Sequence, residues 1–482
     1  MSDIFGKQLQ PIETPIPGLI VFELPVHGDS RGWFKENWQR EKMTTLGLED
    51  FGPVQNNISF NDAVGTTRGI HAEPWDKWVS VATGRIFGAW VDLREGPSFG
   101  AVFTTEIDPS RAIFVPRGVG NSYQTLAPDT AYAYLVNDHW SPAAEYAFLN
   151  LADESAAIEW PIPLSEVEIS EKDKAHPRLA DVTPIAPRKT LVLGAGGQLG
   201  LALRERLGDA PHIEYVTRDE LDVTAPDIAR ARRWRDYGTI INAAAYTAVD
   251  AAETAEGRTA AWQANAVAVA ALARVANENG ITLVHVSSDY VFDGSATGAY
   301  TEDAEFAPLG VYGQTKAAGD LAAQTSSRHY IVRTSWVIGE GKNFVRTMAS
   351  LADSGVDPSV VSDQIGRLSF TNDIADAIVH LLEKNAAYGT YNVTCSGPAL
   401  SWADVAREVF RLTGNDNARV GNVTTAAYFA NASTPVSPRP LNSVLDLAKI
   451  TATGFTLRDG GVALADYLAV RSPSEAGRKL PS

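Results

Sequence analysis

Residues 191–200 read Leu-Val-Leu-Gly-Ala-Gly-Gly-Gln-Leu-Gly, which is a short apolar strand followed by a glycine-rich turn. Glycines at 194, 197 and 200 have the spacing GxxGxxG, and Gly196 adds a fourth. Without side chains here, the backbone can approach a pyrophosphate, whose charge then lies at the N-terminus of the next helix. Three glycines after a strand can also form an ordinary tight turn. The candidate cofactor-binding residues around this turn are Gly194, Gly197, Gln198, Leu199, Gly200, Ala243 and Ala244.

The chain around this motif alternates between strand-like and helix-like stretches. Apolar runs begin at residues 190, 239, 282 and 330, and the stretches between them are rich in alanine, most clearly residues 260–279. Such alternation predicts a parallel sheet with helices on both faces. We therefore expect an α/β Rossmann-type, doubly wound domain over residues 187–482, with a small substrate-binding part at its C-terminal end.

The residues before 187 have a different character. Short segments rich in Val, Phe, Trp and Tyr, such as residues 85–93 and 111–116, are separated by Gly, Pro, Asn and Asp. Segments with this spacing are typical of an all-β sandwich or barrel. We expect a first domain over residues 1–186, and its last part, from residue 181 onward, reads as a proline-containing linker.

Composition excludes several classes of protein. Of the 482 residues, 45% are hydrophobic and 21% charged, which is ordinary for a globular protein. The formal net charge of -17 argues against a nucleic acid or an anionic membrane as partner. Cys395 is the only cysteine, so an internal disulfide is impossible, which fits a reducing cytoplasm. The chain shows neither a signal peptide nor an apolar stretch long enough for a membrane helix, so we expect a cytoplasmic enzyme without membrane partners.

The end of the second strand of the Rossmann unit, at residues 216–219, bears on the choice of cofactor. An acidic residue there would bind the ribose hydroxyls, whereas an arginine would accommodate a 2′-phosphate. Arg218 comes first, which favours NADPH over NADH, and Asp222 is a further cofactor-binding candidate. A solvated surface arginine fits the same pattern equally well.

Tyr312 and Lys316 are four residues apart, which puts a phenol and an ammonium on one face of a helix. A nearby cation favours the phenolate, so we expect Lys316 to lower the pKa of Tyr312 towards the range where it transfers protons. On many helices such a pair is only a half-exposed tyrosine beside a solvated lysine. Upstream, Ser288 offers a hydroxyl at a strand end. A hydroxyl, a tyrosine and a lysine after a nucleotide loop resemble the set of short-chain dehydrogenase/reductases.

Further motifs in this half resemble the dTDP-4-dehydrorhamnose reductase family. They occur in the expected order, at residues 242–250, 288–292, 333–337, 363–366 and 439–443. The resemblance implies NAD(P)H-dependent reduction of the C4 ketone of dTDP-4-dehydro-L-rhamnose. Tyr312 would protonate the alkoxide, Ser288 would hydrogen-bond the ketone oxygen, and Lys316 would hold the nicotinamide ribose. The substrate-binding residues would be Asp289, Tyr290, Trp336 and Arg439. Whether this half also binds a Mg²⁺ ion stays open.

The first half contains a second set of motifs, including residues 28–36, 55–57, 68–71 and 91–100. Together they resemble the dTDP-4-dehydrorhamnose 3,5-epimerase family, which implies a cupin-like jelly-roll barrel. In that family's chemistry a base removes the protons on C3 and C5, α to the C4 ketone. The resemblance implies His71 as base, oriented by Asp173, with Lys77 stabilising the enolate and Tyr134 returning a proton from the opposite face. It implies these substrate-binding residues: Arg31, Glu36, Gln55, Asn57, Arg68 and Asn121.

Departures from the family pattern keep a second interpretation open. Ala72-Glu73 stands where the family usually has Phe and Gln, and Asn121 stands near the usual place of a second histidine. An asparagine cannot act as acid or base, although it can hydrogen-bond a sugar. The sequence thus predicts a bifunctional enzyme of dTDP-L-rhamnose synthesis; the alternative is a reductase joined to a degenerate, binding-only epimerase-like domain. We expect no metal in the epimerase half and consider a homodimer through it, while oligomeric state, nucleobase and channelling stay open.

Overall fold

The computed structural model describes residues 4–142 and 144–470. The chain forms two compact units, one ending at Pro187 and one beginning at Arg188. Each unit has its own hydrophobic core. Among the described residues, no helix combines the length and the apolar character needed to cross a membrane.

The N-terminal unit consists mainly of β-strands. Its described elements are β1 (Gln10–Glu13), β2 (Ile20–Glu23), β3 (Val26–Asp29), β4 (Gly32–Lys35), α1 (Arg40–Thr45), β5 (Gln55–Asn61), β6 (Thr67–Ala72), β7 (Lys77–Thr83), β8 (Ile86–Asp92), β9 (Val102–Ile107), β10 (Arg111–Val115), β11 (Val119–Thr125), β12 (Thr130–Val136), β13 (Ala147–Phe148) and α2 (Glu171–Lys174). One antiparallel sheet has the order β1-β2-β10-β7-β12-β5 and a second has the order β13-β6-β11-β8-β9, while β3 and β4 form a separate hairpin.

The core of this unit lies between the two sheets. Val79 from β7 and Ile113 from β10 pack with Trp90 from β8 and Tyr123 from β11. Side chains alternate between the two faces of a strand, so the neighbouring Trp78 faces the other way, against Met43 of α1. Both faces of β7 are therefore covered, which explains why this strand is apolar at successive positions.

The C-terminal unit alternates strands with helices. Its described elements are β14 (Lys189–Leu193), α3 (Gln198–Leu207), β15 (Ile213–Val216), β16 (Tyr237–Asn242), α4 (Ala255–Trp262), α5 (Ala268–Asn279), β17 (Thr282–Ser288), α6 (Val311–Gln324), β18 (His329–Thr334), β19 (Val337–Ile338), α7 (Phe344–Asp353), β20 (Ser359–Val361), β21 (Ile365–Gly366), β22 (Ser369–Phe370), α8 (Thr371–Glu383), β23 (Gly389–Asn392), β24 (Leu400–Ser401), α9 (Trp402–Leu412), β25 (Gly421–Val423), α10 (Thr425–Phe429), α11 (Ala448–Ala452) and α12 (Gly460–Ala469).

Six strands form one sheet in the order β15-β14-β16-β17-β18-β23, and every pair in it is parallel. The prediction of a parallel, Rossmann-type sheet is thus confirmed. Separate clusters of buried residues pack on its two faces, one around Leu272 and one around Ile378. The strand order reverses between β14 and β16, and ligands of such sheets bind in the crevice beyond the carboxyl ends of the strands at this point.

Candidate active sites

The glycine-rich turn connects β14 to α3 beside the end of β16. Gly194 has a φ of +77°, and a Cβ there would lie 2.8 Å from the backbone nitrogen of Ala244. A Cβ at Gly200 would overlap the carbonyl oxygen of Gly194. Close backbone approach therefore requires both glycines. The turn lines a cavity of about 570 Å³, and a cradle of backbone amides at a helix N-terminus fits the pyrophosphate of a dinucleotide.

The candidate cofactor-binding residues contribute unequally to this cavity. Leu199 packs its side chain against the core of the sheet, and Gln198 donates to the carbonyl oxygen of Lys342 over 3.4 Å. Leu199 could therefore contact a cofactor only through its backbone in the first turn of α3. Those candidates that line the cavity are Gly194, Gly197, Arg218, Asp222, Ala243 and Ala244.

Arg218 lies at the rim of the cavity with an exposed side chain. Its Nε is 3.4 Å from Oδ2 of Asp222. Hydrogen bonds from Thr224 hold the pKa of Asp222 below its usual value, with a smaller contribution from Arg218. An exposed pair of this kind contributes little to stability, so the guanidinium can exchange Asp222 for a phosphate at little cost.

Ser288 ends β17, directly before a turn of 3₁₀-helix at Asp289–Val291. Its hydroxyl donates to Oδ1 of Asp289 over 2.9 Å and accepts from the backbone N–H of Tyr290 over 3.2 Å. Burial raises the pKa of Asp289 to about 6. The ring of Tyr290 stands edge-on to that of Tyr312, with centroids 5.4 Å apart. The candidate substrate residues Asp289 and Tyr290 thus lie beside the candidate acid.

Tyr312 is in the first turn of α6, where its side chain is partly buried. Burial raises its pKa to about 12, with a further contribution from the charge of Asp289, and a hydrogen bond with Ser288 acts in the opposite direction. The expectation that Lys316 lowers the pKa of this phenol is therefore wrong. Loss of hydration disfavours the phenolate more strongly than the surroundings favour it.

Lys316 lies one helical turn further along α6 and is 2% exposed. Its Nζ donates to the carbonyl oxygen of Val286 over 2.7 Å and lies 3.5 Å from Nε2 of His285. Burial lowers the pKa of Lys316 to about 8, and the nearby Asp320 offsets part of that effect. The ammonium is thus fixed by backbone and buried polar groups.

A buried polar cluster surrounds His285 behind this lysine. Burial and the charge of Lys316 lower the pKa of His285 well below its usual value, so the imidazole is neutral. Its Nδ1 lies 3.3 Å from the side-chain amide nitrogen of Asn242, whose Oδ1 accepts from the backbone N–H of Ala244 over 3.3 Å. These contacts connect the candidate catalytic lysine to the wall of the nucleotide cavity.

Two candidate substrate residues lie further along the chain. Arg439 forms an ion pair with Asp250 in which Nη2 lies 2.8 Å from both carboxylate oxygens, and its charge lowers the pKa of Tyr290 against the larger effect of burial. Trp336 stacks on Trp402 with centroids 3.8 Å apart. Arg439 therefore belongs to the surroundings of Tyr290, whereas Trp336 is part of the packing around α9.

In the N-terminal unit, His71 on β6 meets Asp173 on α2. His71 Nε2 and Asp173 Oδ1 are 2.9 Å apart, and the side chains are 34% and 8% exposed. Asp173 is held in place because Ser170 caps the start of α2 and accepts from the backbone N–H of Asp173. The structure thus pairs a partly exposed imidazole with a buried carboxylate that is 102 residues away in the sequence.

His176 lies against the same pair. Its Nε2 is 3.7 Å from Asp173 Oδ1, and its side chain is 6% exposed. The rings of His71 and His176 are edge-on, with centroids 5.3 Å apart, and Phe148 stacks on His176 at 4.8 Å. Burial and the neighbouring His71 lower the pKa of His176.

Lys77 on β7 is buried and forms an ion pair with Glu73. The same ammonium lies 5.8 Å from the centre of the Tyr134 ring. Burial raises the pKa of Tyr134, and the negative charge of Glu73 adds to that effect. Glu73, the residue that departs from the family pattern, thus balances the charge of Lys77 and keeps Tyr134 protonated.

Asn121 on β11 is paired in register with His71 on β6. Its Oδ1 accepts from Nε1 of Trp90 over 2.9 Å, and its amide nitrogen donates to the hydroxyl of Tyr132 over 3.0 Å. The side chain therefore holds two aromatic residues in place beside the dyad.

The remaining substrate-binding candidates divide into two groups. Asn57 on β5 is paired with Tyr134 on β12, and it accepts from Gln55 over 2.8 Å. The others are exposed: Arg31 pairs with Asp29, Glu36 pairs with Lys42, and Arg68 influences the pKa of Tyr134 electrostatically.

Sequence reasoning missed two residues, His176 and His285, and it missed that Glu73 pairs with Lys77. A signal existed for the first, because His176 is only three residues after Asp173, although it lies just beyond the end of α2. Glu73 and Lys77 are likewise four apart, although they lie outside any helix. Nothing in the sequence indicates that His285 is buried beside Lys316.

Comparisons with known proteins divide the chain in the same way. Residues 13–181 match the family described as dTDP-4-dehydrorhamnose 3,5-epimerase, and residues 188–471 match the RmlD substrate binding domain. The first part is 53% identical over 180 residues to "Protein RmlC homolog" of Streptococcus pyogenes serotype M6, which covers 36% of this chain and 90% of that protein. The second part is 39% identical over 278 residues to dTDP-4-dehydrorhamnose reductase of Aggregatibacter actinomycetemcomitans, which covers 54% of this chain and 92% of that protein. The crystal structure of dTDP-4-dehydrorhamnose reductase from Bacillus anthracis in complex with NADP covers 59% of this chain and 100% of its own, at 30% identity and a TM-score of 0.54.

Proposed function

The chain belongs to the dTDP-4-dehydrorhamnose 3,5-epimerase family in its N-terminal unit and to the RmlD family in its C-terminal unit, and we propose that it performs their two reactions in succession. It is a bifunctional enzyme of dTDP-L-rhamnose biosynthesis. The first unit epimerises dTDP-4-dehydro-6-deoxy-D-glucose at C3 and C5, and the second reduces the resulting dTDP-4-dehydro-L-rhamnose at C4. The observation that carries this conclusion is the presence of a complete proton-transfer set in each unit.

In the epimerase unit, His71 is the base. Its Nε2 faces Asp173 at 2.9 Å, so the neutral ring donates there and leaves Nδ1 free to take a proton from C3 or C5. Asp173 stabilises the imidazolium that forms. The ammonium of Lys77, which also pairs with Glu73, stabilises the enolate oxygen. Tyr134 is kept protonated by its raised pKa and supplies a proton from the opposite face of the sugar.

In the reductase unit, the cavity lined by Gly194, Gly197 and Ala244 would hold a nicotinamide dinucleotide, which would supply the hydride for C4 of the sugar. Ser288 turns its one hydroxyl proton from Asp289 to the ketone oxygen and so polarises the carbonyl. Tyr312 then gives its phenolic proton to the alkoxide, a role that suits a group whose pKa is raised to about 12 and which is therefore protonated at neutral pH. Lys316, whose ammonium donates to the carbonyl oxygen of Val286, would bind the ribose of that dinucleotide.

Several finer features belong to the same proposal. Arg218 at the rim of the cavity supports NADPH as the preferred cofactor. The two stacked antiparallel sheets support a cupin-like jelly roll. Ile58 and Phe60 are 67% and 56% exposed on the edge strand β5, which supports a homodimer through the epimerase unit. In the described part of the reductase unit, no three acidic or imidazole ligands come together, so any Mg²⁺ ion there would depend on one or two carboxylates together with water and the substrate phosphates.

The first experiment incubates the purified chain with dTDP-4-dehydro-6-deoxyglucose and NADPH and identifies the sugar formed by NMR. We expect dTDP-L-rhamnose. A 4-reduced sugar without inversion at C3 and C5 would instead support the binding-only epimerase domain.

Two variants then separate the sites. His71→Ala should abolish solvent deuterium incorporation at C3 and C5, whereas Tyr312→Phe should preserve that exchange and stop NADPH oxidation. Each loss should be on the order of 10²–10⁴-fold, the usual contribution of a positioned acid or base. An equal mixture of the two variants should restore dTDP-L-rhamnose formation if the intermediate diffuses freely. Deuterium exchange that survives in His71→Ala would show that the base is another residue.

A further inference from the structure

The His71–Asp173 pair has a third member that the epimerisation does not use. His176 is buried, and its Nε2 has no hydrogen-bond partner among the described residues. It nevertheless points to the carboxylate that orients His71, at 3.7 Å from Oδ1. A buried polar nitrogen without a partner is unfavourable, which indicates that this position suits a ligand.

The three side chains form a cluster with the composition of a metal site. One ligand atom from each of His71, Asp173 and His176 lies within 4.8 Å of the other two. Two imidazoles and a carboxylate, with an open fourth position, are typical ligands of Zn²⁺. In the described part of the chain, no other group of three such residues comes together.

Two of the three distances between ligand atoms are close to those around a tetrahedral ion, and the distance between the two imidazoles is within 4.8 Å. With metal–ligand bonds of about 2.0–2.1 Å, neighbouring ligand atoms of a tetrahedron are about 3.3 Å apart. His71 Nε2 and Asp173 Oδ1 are closer than that, at 2.9 Å, and His176 Nε2 and Asp173 Oδ1 are farther apart, at 3.7 Å. Shifts of a few tenths of an ångström would equalise the two.

We propose that His71, Asp173 and His176 bind a divalent transition-metal ion of the zinc class, and that this ion switches off the epimerase. The metal replaces the proton that His71 shares with Asp173, and that proton passes to solvent. Both the base and the carboxylate that orients it are then ligands, so neither can take part in proton abstraction. Binding follows from the geometry alone, whereas the inhibition rests on the proposed role of His71.

Binding is tested on the full-length, chelator-treated protein with Co²⁺ as the probe. We expect one equivalent of Co²⁺ to produce visible d–d absorption bands of a low-coordinate site, and Zn²⁺ to displace them. His176→Gln removes one ligand and should weaken binding by at least about 100-fold, because even indirect partners of a metal ligand contribute about 10–100-fold. The matched control is His212→Gln, a histidine outside the cluster, which should bind as the wild type does. Equal binding by wild type and His176→Gln, or no bands at all, would overturn the proposal.

Inhibition is tested separately by deuterium incorporation at C3 and C5 of the sugar. Zn²⁺ should stop exchange in the wild type, a chelator should restore it, and His176→Gln should keep exchanging at the same free Zn²⁺. NADPH oxidation with pre-epimerised substrate should be unchanged. If the metal-free protein exchanges no deuterium while Co²⁺ still binds, the proposed epimerase activity fails and the metal site stands. Exchange that persists in wild type saturated with Zn²⁺ would overturn the inhibitory role.

Discussion

Replacing Lys316 by methionine should separate the contribution of this side chain to the reaction from its effect on the fold. The side chain is buried, and burial lowers its pKa from 10.5 to about 8. That difference corresponds to about 3 kcal/mol by which burial of the ammonium destabilises the folded state at neutral pH. Methionine fills a similar volume without a charge but leaves the carbonyl oxygen of Val286 without its donor. An unsatisfied buried acceptor costs about 1–3 kcal/mol, so Lys316→Met should be more stable than the wild type by about 1 kcal/mol at pH 7.

The pH dependence of this difference follows from proton linkage. Between about pH 8 and 10.5 the unfolded chain retains the proton of Lys316, while the folded chain has released it. Because the unfolded state then binds more protons, the free energy of unfolding of the wild type rises with pH in this window. At pH 9.5 the wild type should have regained about 2 kcal/mol. Its stability should therefore exceed that of Lys316→Met by about 1 kcal/mol.

The assay is urea unfolding of the full chain at pH 7.0 and 9.5. The transition of the reductase unit is the one that NADPH raises in the wild type, since a ligand stabilises the unit that binds it. Lys342→Met, at an exposed lysine of the same unit, is the matched control and should change stability by no more than about 0.5 kcal/mol at either pH. Reductase activity of Lys316→Met should fall by about 10²–10⁴-fold. If Lys316→Met is destabilised by the same margin at both pH values, the ammonium is not desolvated and the reasoning fails.

Three further variants test other contacts. Asp173→Asn keeps the shape of the carboxylate but not its charge, so deuterium exchange should fall by about 10²–10⁴-fold in kcat with little change in KM; an unchanged kcat would contradict the dyad. Gly194→Ala should abolish NADPH binding in a fluorescence titration, because its Cβ would lie 2.8 Å from the backbone nitrogen of Ala244. The control is Gly280→Ala, at a glycine that is also left-handed but is not crowded by its neighbours. This variant should bind NADPH normally and lose about 1–2 kcal/mol of stability. Arg218→Ala should raise the KM for NADPH by about 10–100-fold, the contribution of a charged hydrogen bond, and leave the KM for NADH unchanged; a parallel rise in both would exclude a 2′-phosphate contact.

The parallel sheet and its nucleotide turn could be predicted because their signals are local. Residues 191–200 encode strand, turn and helix start within one short stretch, and β14, Lys189–Leu193, and α3, Gln198–Leu207, follow that pattern. Residues 260–279 predicted one helical stretch, where the structure has the end of α4, a π-helical turn at Gln263–Val267 and then α5. The π-helical turn places Asn265 against the backbone of Tyr246, a tertiary contact that helical periodicity does not encode.

The candidate sites were harder to predict from the sequence, because they depend on which faces of distant elements meet. Family resemblance brought His71 and Asp173 together, but periodicity alone cannot connect residues that are 102 positions apart. The predicted direction of the pKa shift of Tyr312 was also wrong. The spacing of Tyr312 and Lys316 predicts proximity, yet whether proximity or burial controls a pKa depends on how much water the surrounding chain excludes.

That burial keeps Tyr312 in its protonated form. A tyrosine whose pKa is about 12 stays protonated throughout the neutral range, so it can donate to an alkoxide without first being loaded. An alcohol oxidation at the same site would need the phenolate as base, and the raised pKa makes that form scarce. The nearby ammonium of Lys316, fixed by Val286 and His285, does not reverse this balance. The free protein is therefore already in the protonation state that ketone reduction requires, and this is the reaction that consumes the product of the epimerase unit.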